Sequence, residues 1–318
     1  MALMRGRNMI KVDLITGFLG SGKTTFLKKY ASYFMSKGMK IGILENDYGA
    51  VNVDMLLLNE LRGDLCELEM VAGGCDADCH RRRFKTKLIA MAMSGYDRVF
   101  IEPSGIFDVD EFFDAVRDEP LDKWYEIGNV ITIVDARLED GLSSDSDFFL
   151  AAQIANAGRI VLSRTQLTDE DHIKATTAHL QSAAEKVGLA IYVNSIIFSK
   201  AWDSLTAADY ELLANSSYNT RSYIKKLSTD DSQYKTVYFL ELPIVKANIK
   251  DKINTLMTDS SYGDILRAKG FFKEKDIWYQ FNATKNEFEL TQMPVGQQVF
   301  IVIGEKLNES KIKEFMAS

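Results

Sequence analysis

Gly17-Phe18-Leu19-Gly20-Ser21-Gly22-Lys23-Thr24 stands between an apolar run, Ile10 to Thr16, and an amphipathic stretch, Thr24 to Ser36. The octet satisfies G-x-x-x-x-G-K-[ST] in full, with a strand before it and a helix after it, the setting in which that pattern binds phosphate. Glycines at these positions let backbone N–H groups curl around phosphate oxygens, and the first turn of the helix adds its positive dipole end. Gly17, Gly20, Ser21, Gly22, Lys23, Thr24 and Thr25 are therefore the expected nucleotide-binding set. In it Lys23 reaches the β and γ phosphates and the Thr24 hydroxyl ligates Mg²⁺.

Outward from this loop the chain keeps one rhythm. Short apolar runs at Ile10 to Thr16, Lys40 to Glu45, Arg98 to Glu102, Val130 to Asp135, Arg159 to Ser163 and Ala190 to Asn194 alternate with helical patterns. The helical patterns fall at Thr24 to Ser36, Arg81 to Met93, Val109 to Arg117 and Asp169 to Lys186. The runs are almost wholly apolar, as strands buried on both faces must be, so the expected architecture is α/β with a mostly parallel sheet. Between Asn215 and Gln233 the composition turns to Ser, Thr, Asn and Asp without a period. This divides the chain into a P-loop NTPase domain over residues 1–215, a linker over 216–234 and a small α+β domain over 235–318. In the last part Thr236 to Leu242, Ile277 to Ala283, Glu287 to Thr291 and Gln298 to Ile303 read as strands, with helices at Ile249 to Thr258 and Glu309 to Phe315.

The 318 residues carry 45 acidic and 38 basic side chains, a formal charge of −7. That balance argues against a dedicated nucleic-acid or anionic-membrane surface. The basic N-terminus, Met1 to Asn8, leads into a run broken by Lys11 and Asp13, which fits neither a signal peptide nor a membrane span. Cys66, Cys75 and Cys79 are too few for a disulfide scaffold, so a reducing cytosol is expected and cysteine chemistry here means redox or metal.

Beyond the phosphate loop the chain resembles the CobW-type P-loop GTPases, relatives of the nickel-insertion GTPases of urease and hydrogenase maturation. Asn46-Asp47-Tyr48-Gly49 is similar to the family's Asn-Glu-Phe-Gly, and Glu102-Pro103-Ser104-Gly105 to its Glu-x-x-Gly. Gln153-Ile154-Ala155 with Arg159 to Leu162 resembles the approach to the base-recognition motif, and Leu266-Arg267-Ala268-Lys269-Gly270 the small C-terminal domain. Independently of the resemblance, Glu102 ends an apolar run and so falls at the carboxyl edge of the sheet, where α/β folds bind ligands. A carboxylate there can hold Mg²⁺, and Gly105 lets a backbone N–H approach the γ-phosphate. Lys23, Glu102 and Gly105 are the expected catalytic residues; Asp47 is a further magnesium or switch candidate, though Asn-Asp-Tyr-Gly also reads as a plain turn.

Two segments depart from the family. Where guanine is usually read by Asn-Lys-x-Asp, this chain has Ser163-Arg164-Thr165-Gln166. Gln166 lacks the charge and paired acceptors that discriminate guanine, so GTP and ATP are both open, with Arg164 stacking on either base. Where the family carries Gly-Cys-x-Cys-Cys, this chain reads Gly74-Cys75-Asp76-Ala77-Asp78-Cys79-His80. A helical turn would bring Cys75 and Cys79 onto one face beside His80, a donor set suited to Zn²⁺ or Co²⁺; alternatively the cysteines are packed small hydrophobes. Cys66 reads as core. The run Arg81-Arg82-Arg83 with Lys85 and Lys87 reads as a solvated face or as a docking site for an acidic partner, and His172 and His179 as surface residues without partners.

The leading expectation is a Mg²⁺-dependent nucleoside triphosphatase that delivers a metal or assembles a metallocofactor for a client protein. The rivals are a nucleotide-controlled adaptor of a corrinoid- or metal-dependent enzyme, and a P-loop kinase of small molecules.

Overall fold

The computed structural model describes residues 9–47, 57–72, 77–105, 107–138, 142–224, 234–285, 287–294, 296 and 298–317. It divides into two compact units, residues 1–226 and 227–318. In the first, β1 (Ile10–Gly17), β2 (Ile41–Asp47), β3 (Cys66–Ala72), β4 (Arg98–Pro103), β5 (Tyr125–Asp135), β6 (Arg159–Ser163) and β7 (Ile197–Phe198) form one sheet. Its seven strands run in the order β3-β2-β4-β1-β5-β6-β7, and every recorded pairing is parallel. β1 lies between β4 and β5, so the chain leaves it upward into the crevice at the carboxyl edge, where the sheet's connections change direction.

Two apolar layers enclose this sheet. On one face α1 (Lys23–Ser36) buries Phe26, Leu27, Tyr30, Ala31 and Phe34 against Ile15, Ile41, Ile43, Phe100 and Ile133. On the other, α2 (Ala77–Met93) and α3 (Val109–Arg117) pack Phe84, Leu88, Phe112 and Val116 on Val12, Leu14, Val99 and Ile101. Alternation along the strands thus sends Ile43 and Phe100 toward α1 and their neighbours Leu44 and Ile101 toward α2. Three further helices, α4 (Ser144–Ala155), α5 (Glu170–Lys186) and α6 (Ala207–Ala214), start at side-chain caps from Ser143, Asp169 and Thr206. Far from the crevice, Arg98 and the buried Asp13 form an ion pair, with Asn129 donating to Asp13 through its backbone N–H at 2.9 Å.

Three expectations change. Ala190 to Asn194 is not a strand: a 3₁₀ turn, Val193–Ile196, precedes the two-residue β7. Gln181 on α5 explains this, since its Oε1 accepts from Val193 N–H at 3.1 Å and its Nε2 donates to the Ile191 carbonyl at 3.2 Å, occupying groups a ladder would pair. Second, the helix expected from Arg81 already includes Ala77. Third, the polar stretch after Asn215 does not simply leave the first unit: Ser217 N–H donates to Asn129 Oδ1 at 2.7 Å and Asn219 Nδ2 to the Ala157 carbonyl at 2.9 Å.

The second unit is a five-stranded antiparallel sheet of β8 (Tyr234–Leu240), β9 (Asp264–Glu274), β10 (Ile277–Thr284), β11 (Glu287–Met293) and β12 (Val299–Glu305). Its order is β11-β10-β9-β12-β8. Phe272, Phe281, Phe300 and Val302 pack on Ile253 and Leu256 of α7 (Ile249–Thr258) and Ile312 and Met316 of α8 (Glu309–Ala317). Leu266 to Gly270 lies inside β9.

Candidate functional site

The phosphate loop is built as its spacing predicts. Gly17, Gly20 and Gly22 all have positive φ, 147°, 73° and 95°. At Gly17 a Cβ would stand 2.2 Å from the Ile133 carbonyl oxygen on the neighbouring strand, so no other residue fits. Lys23 is 6% exposed, and its Nζ donates to the Gly17 carbonyl at 3.0 Å, which folds the ammonium back over the loop. The Ser21 hydroxyl is buried and has no hydrogen-bond partner among the described residues, a polar group held ready for a ligand. Thr25 is exposed on the first turn of α1.

Thr24 Oγ1 donates to Glu102 Oε1 at 2.7 Å, joining the loop to the end of β4 across 78 residues of sequence. Glu102 is 4% exposed. The sequence reading missed Glu45, which is in register with Glu102 on the adjacent strand and equally buried. In a parallel pair such partners share a face, here the α1 face, so two carboxylates flank the start of α1. The signal that could have exposed Glu45 is its place two residues before Asp47 at the end of an apolar run. Asp47 closes β2; its side chain lies outside the described residues. The set fits Mg²⁺: hard oxygen donors from Thr24 and Glu102, beside an unsatisfied buried hydroxyl at Ser21.

Gly105 is pressed against the same loop. A Cβ there would meet Leu19 N at 2.8 Å, and its carbonyl accepts from Gln153 Nε2 of α4 at 2.7 Å. The preceding Ser104 N–H donates to the Asn46 carbonyl at 2.9 Å, tying the end of β4 to the end of β2.

At the carboxyl end of β6, Ser163 is buried and Arg164 takes a left-handed conformation with φ 56°. Arg164, the residue expected to stack on the base, is anchored through the edge of its guanidinium. Its Nη1 donates to the Gly20 carbonyl and to Asp135 Oδ2, each at 2.9 Å, so the guanidinium braces the phosphate loop. Gln166 is exposed in the 3₁₀ turn Thr165–Leu167. Trp202, which no motif singles out, donates its Nε1 to the Leu162 carbonyl at 3.0 Å, and its ring lies 3.3 Å from where a Gly22 Cβ would be.

The cysteine segment is only partly in view. Cys75 and Asp76 lie outside the described residues, as does the side chain of Asp78. Cys79 lies on the first described turn of α2, and the expected turn from Cys75 to Cys79 falls partly outside the described residues. Cys79 is half-buried and His80 only 1% exposed; consecutive helical residues diverge by about 100°, so the two side chains point different ways. His80 Nε2 lies 2.8 Å from Asn46 Oδ1. Among the described residues no group of three or more His, Cys, Asp and Glu side chains comes together to hold a metal. Cys66 is core, its thiol pushed up to about 11 by burial.

The basic run is mostly matched within the chain: Arg81 faces Asp114, Lys85 pairs with Asp118, and Lys87 with Glu69 at 2.8 Å. The two histidines read as partnerless are both partnered. His172 Nδ1 is 2.8 Å from Asp169, and His179 Nε2 is 2.7 Å from the buried Asp147, which also accepts from Lys186.

With this geometry in hand, the comparisons with known proteins are specific. The family model for the CobW/HypB/UreG nucleotide-binding domain matches residues 11–188. The zinc chaperone YjiA of Escherichia coli is 31% identical over 51% of this chain and 52% of its own length. The zinc-regulated GTPase metalloprotein activator 1 of Schizosaccharomyces pombe is 22% identical over 91% of this chain and 78% of that protein. Against YjiA, and likewise against the Escherichia coli zinc chaperone YeiR, the chain therefore spans about half of the relative's length. The crystal structure of Zn(II)-bound YjiA GTPase aligns over 98% of this chain at 18% identity with a TM-score of 0.40, a superposition too loose to add to the argument. No helix among the described residues is long and apolar enough to cross a membrane. From β1 through α5, phosphate loop included, the chain belongs to the CobW/HypB/UreG family of nucleotide-binding domains.

Proposed function

We propose that this protein is a Mg²⁺-dependent nucleoside triphosphatase, using GTP or ATP, whose cycle hands a transition metal to a client metalloprotein. The observation that carries the first half is the Thr24–Glu102 hydrogen bond of 2.7 Å beside Lys23, a phosphate loop already joined to the end of β4. Thr24 and Glu102 would hold Mg²⁺, which when bound neutralises charge on the phosphate oxygens. Lys23 would exchange the Gly17 carbonyl for a phosphate oxygen, and the backbone N–H groups of the loop, with the Ser21 hydroxyl, would donate to the others. Water is the nucleophile: its oxygen bonds to the γ-phosphorus as the bond to the bridging oxygen breaks, and its proton leaves with phosphate. Gly105, backed on Leu19, lets the loop after β4 approach the γ-phosphate, so that loop senses whether the phosphate is present.

The second half is supported by relatives named as zinc chaperones and metalloprotein activators, and by Cys79 at the start of α2. Zinc is the metal this favours, with cobalt as comparison and Cys75 as the expected second thiolate. Phosphate release measured with GTP and ATP, with and without Mg²⁺, tests the hydrolase. Zinc content of protein purified without oxygen, wild type against Cys79→Ser, tests the cargo. Hydrolysis without metal above the Cys79→Ser level would favour the adaptor instead.

A further inference from the structure

The sequence offers His80 as a metal ligand, yet the structure spends it inward. It is 1% exposed, and its Nε2 is held by Asn46 Oδ1 at 2.8 Å. Asn46 is itself 1% exposed and sits next to last in β2, on the face toward α2. Its main chain points elsewhere: the Asn46 carbonyl accepts from Ser104 N–H at 2.9 Å, and Gly105, the next residue, stands against Leu19 of the phosphate loop with no room for a Cβ. One asparagine therefore touches the cysteine-bearing helix through its side chain and the γ-phosphate-sensing loop through its backbone. The Asn46 Nδ2 group is buried without a hydrogen-bond partner among the described residues. A buried amide with an unused donor is poised for a second arrangement, in which it rotates or its strand end shifts.

We propose that His80 is a positioning residue that couples nucleotide occupancy to the first turns of α2, and so to Cys79, through its hydrogen bond to Asn46. This rests on the phosphate-binding reading above and deepens it, but it does not require that the cargo be zinc. Displacement of the Ser104–Gly105 loop by a γ-phosphate moves the Asn46 carbonyl, and the side chain of the same residue carries the movement to His80. Because the two sites share one free energy of coupling, the factor by which a nucleotide changes the affinity of a ligand for Cys79 is the factor by which that ligand changes nucleotide affinity.

The test labels the full chain with a maleimide and follows modification of Cys79 by peptide mapping, with and without a non-hydrolysable GTP analogue and Mg²⁺. Wild type should show a change in Cys79 labelling rate of about fivefold or more on binding the analogue, the lower end of ordinary allosteric coupling. His80→Leu, which removes the bond, should show the same rate in both states while still binding the analogue. Asn46→Leu removes the bond from the other side and should behave alike, so misfolding of one variant leaves the other to decide. His80→Gln, which can still donate to Asn46, should restore the nucleotide response. An undiminished response in His80→Leu overturns the proposal and leaves the nucleotide site standing. Wild type that binds the analogue without any change at Cys79 overturns it too. Wild type that binds no analogue brings down the phosphate-site reading first, a distinct result.

Discussion

Gln166 offers a single carbonyl oxygen and a neutral amide, without the charge and paired acceptors by which a carboxylate reads both the N1–H and the 2-amino group of guanine. Beside it, Arg164 is held by the Gly20 carbonyl and Asp135 at 2.9 Å each. Wild type should therefore discriminate GTP from ATP only modestly, and Gln166→Asp should shift the preference toward GTP by about 1–3 kcal/mol, the scale of charge-assisted hydrogen bonds. Competition binding of the two nucleotides measures it, and a wild type that already prefers GTP by several orders of magnitude would place base recognition elsewhere. A different residue governs stability. Arg98 is buried against Asp13, so Arg98→Met leaves a buried carboxylate with its charge uncompensated and should cost about 3–5 kcal/mol in urea unfolding. A loss below about 1 kcal/mol would mean that Asn129 alone satisfies Asp13.

Among the elements, α4 and α5 meet through Asp147, whose side chain is 7% exposed and accepts from His179 at 2.7 Å and Lys186 at 2.6 Å. Burial pushes its carboxyl up, but the hydrogen bonds from Lys186 and His179 outweigh it and leave it below the usual carboxylate value. A depressed folded value means that the contribution is full above the unfolded carboxylate range and is lost as pH falls through the folded one. Asp147→Asn should thus lower stability to urea at pH 7, by about 1–3 kcal/mol, and the gap to wild type should narrow as pH falls below the ordinary carboxylate range. A gap that stays constant on acidification would assign the effect to packing. The same contact shows where sequence reading stops. Strands buried on both faces and the strand–loop–helix at Gly17 were legible because periodicity and spacing are local properties. The Asp147–His179 pair, the Glu45–Glu102 register and the capture of Val193 by Gln181 depend on residues 12 to 57 apart that only the folded sheet and helices juxtapose. β9 escaped notice because its charged residues, Arg267, Lys269 and Lys273, interrupt the apolar run, although β10 and β12 pair with it on both sides.

In the whole molecule, every residue of the phosphate site lies in the unit spanning residues 1–226, which has its own sheet and two apolar layers. A chain ending at residue 226 should fold and bind the GTP analogue as the full chain does. Weaker binding by that fragment, shown to be folded by its melting transition, would assign the remainder a part in the nucleotide site. The central claim is narrower: one triphosphate site, built by Lys23, Thr24 and Glu102. It is tested most directly by calorimetric titration of wild type and Lys23→Ala with a non-hydrolysable GTP analogue, in Mg²⁺ and in excess chelator. The account predicts binding to wild type that weakens when Mg²⁺ is withdrawn, and no measurable binding to a folded Lys23→Ala. Equal affinity in the two proteins would contradict it.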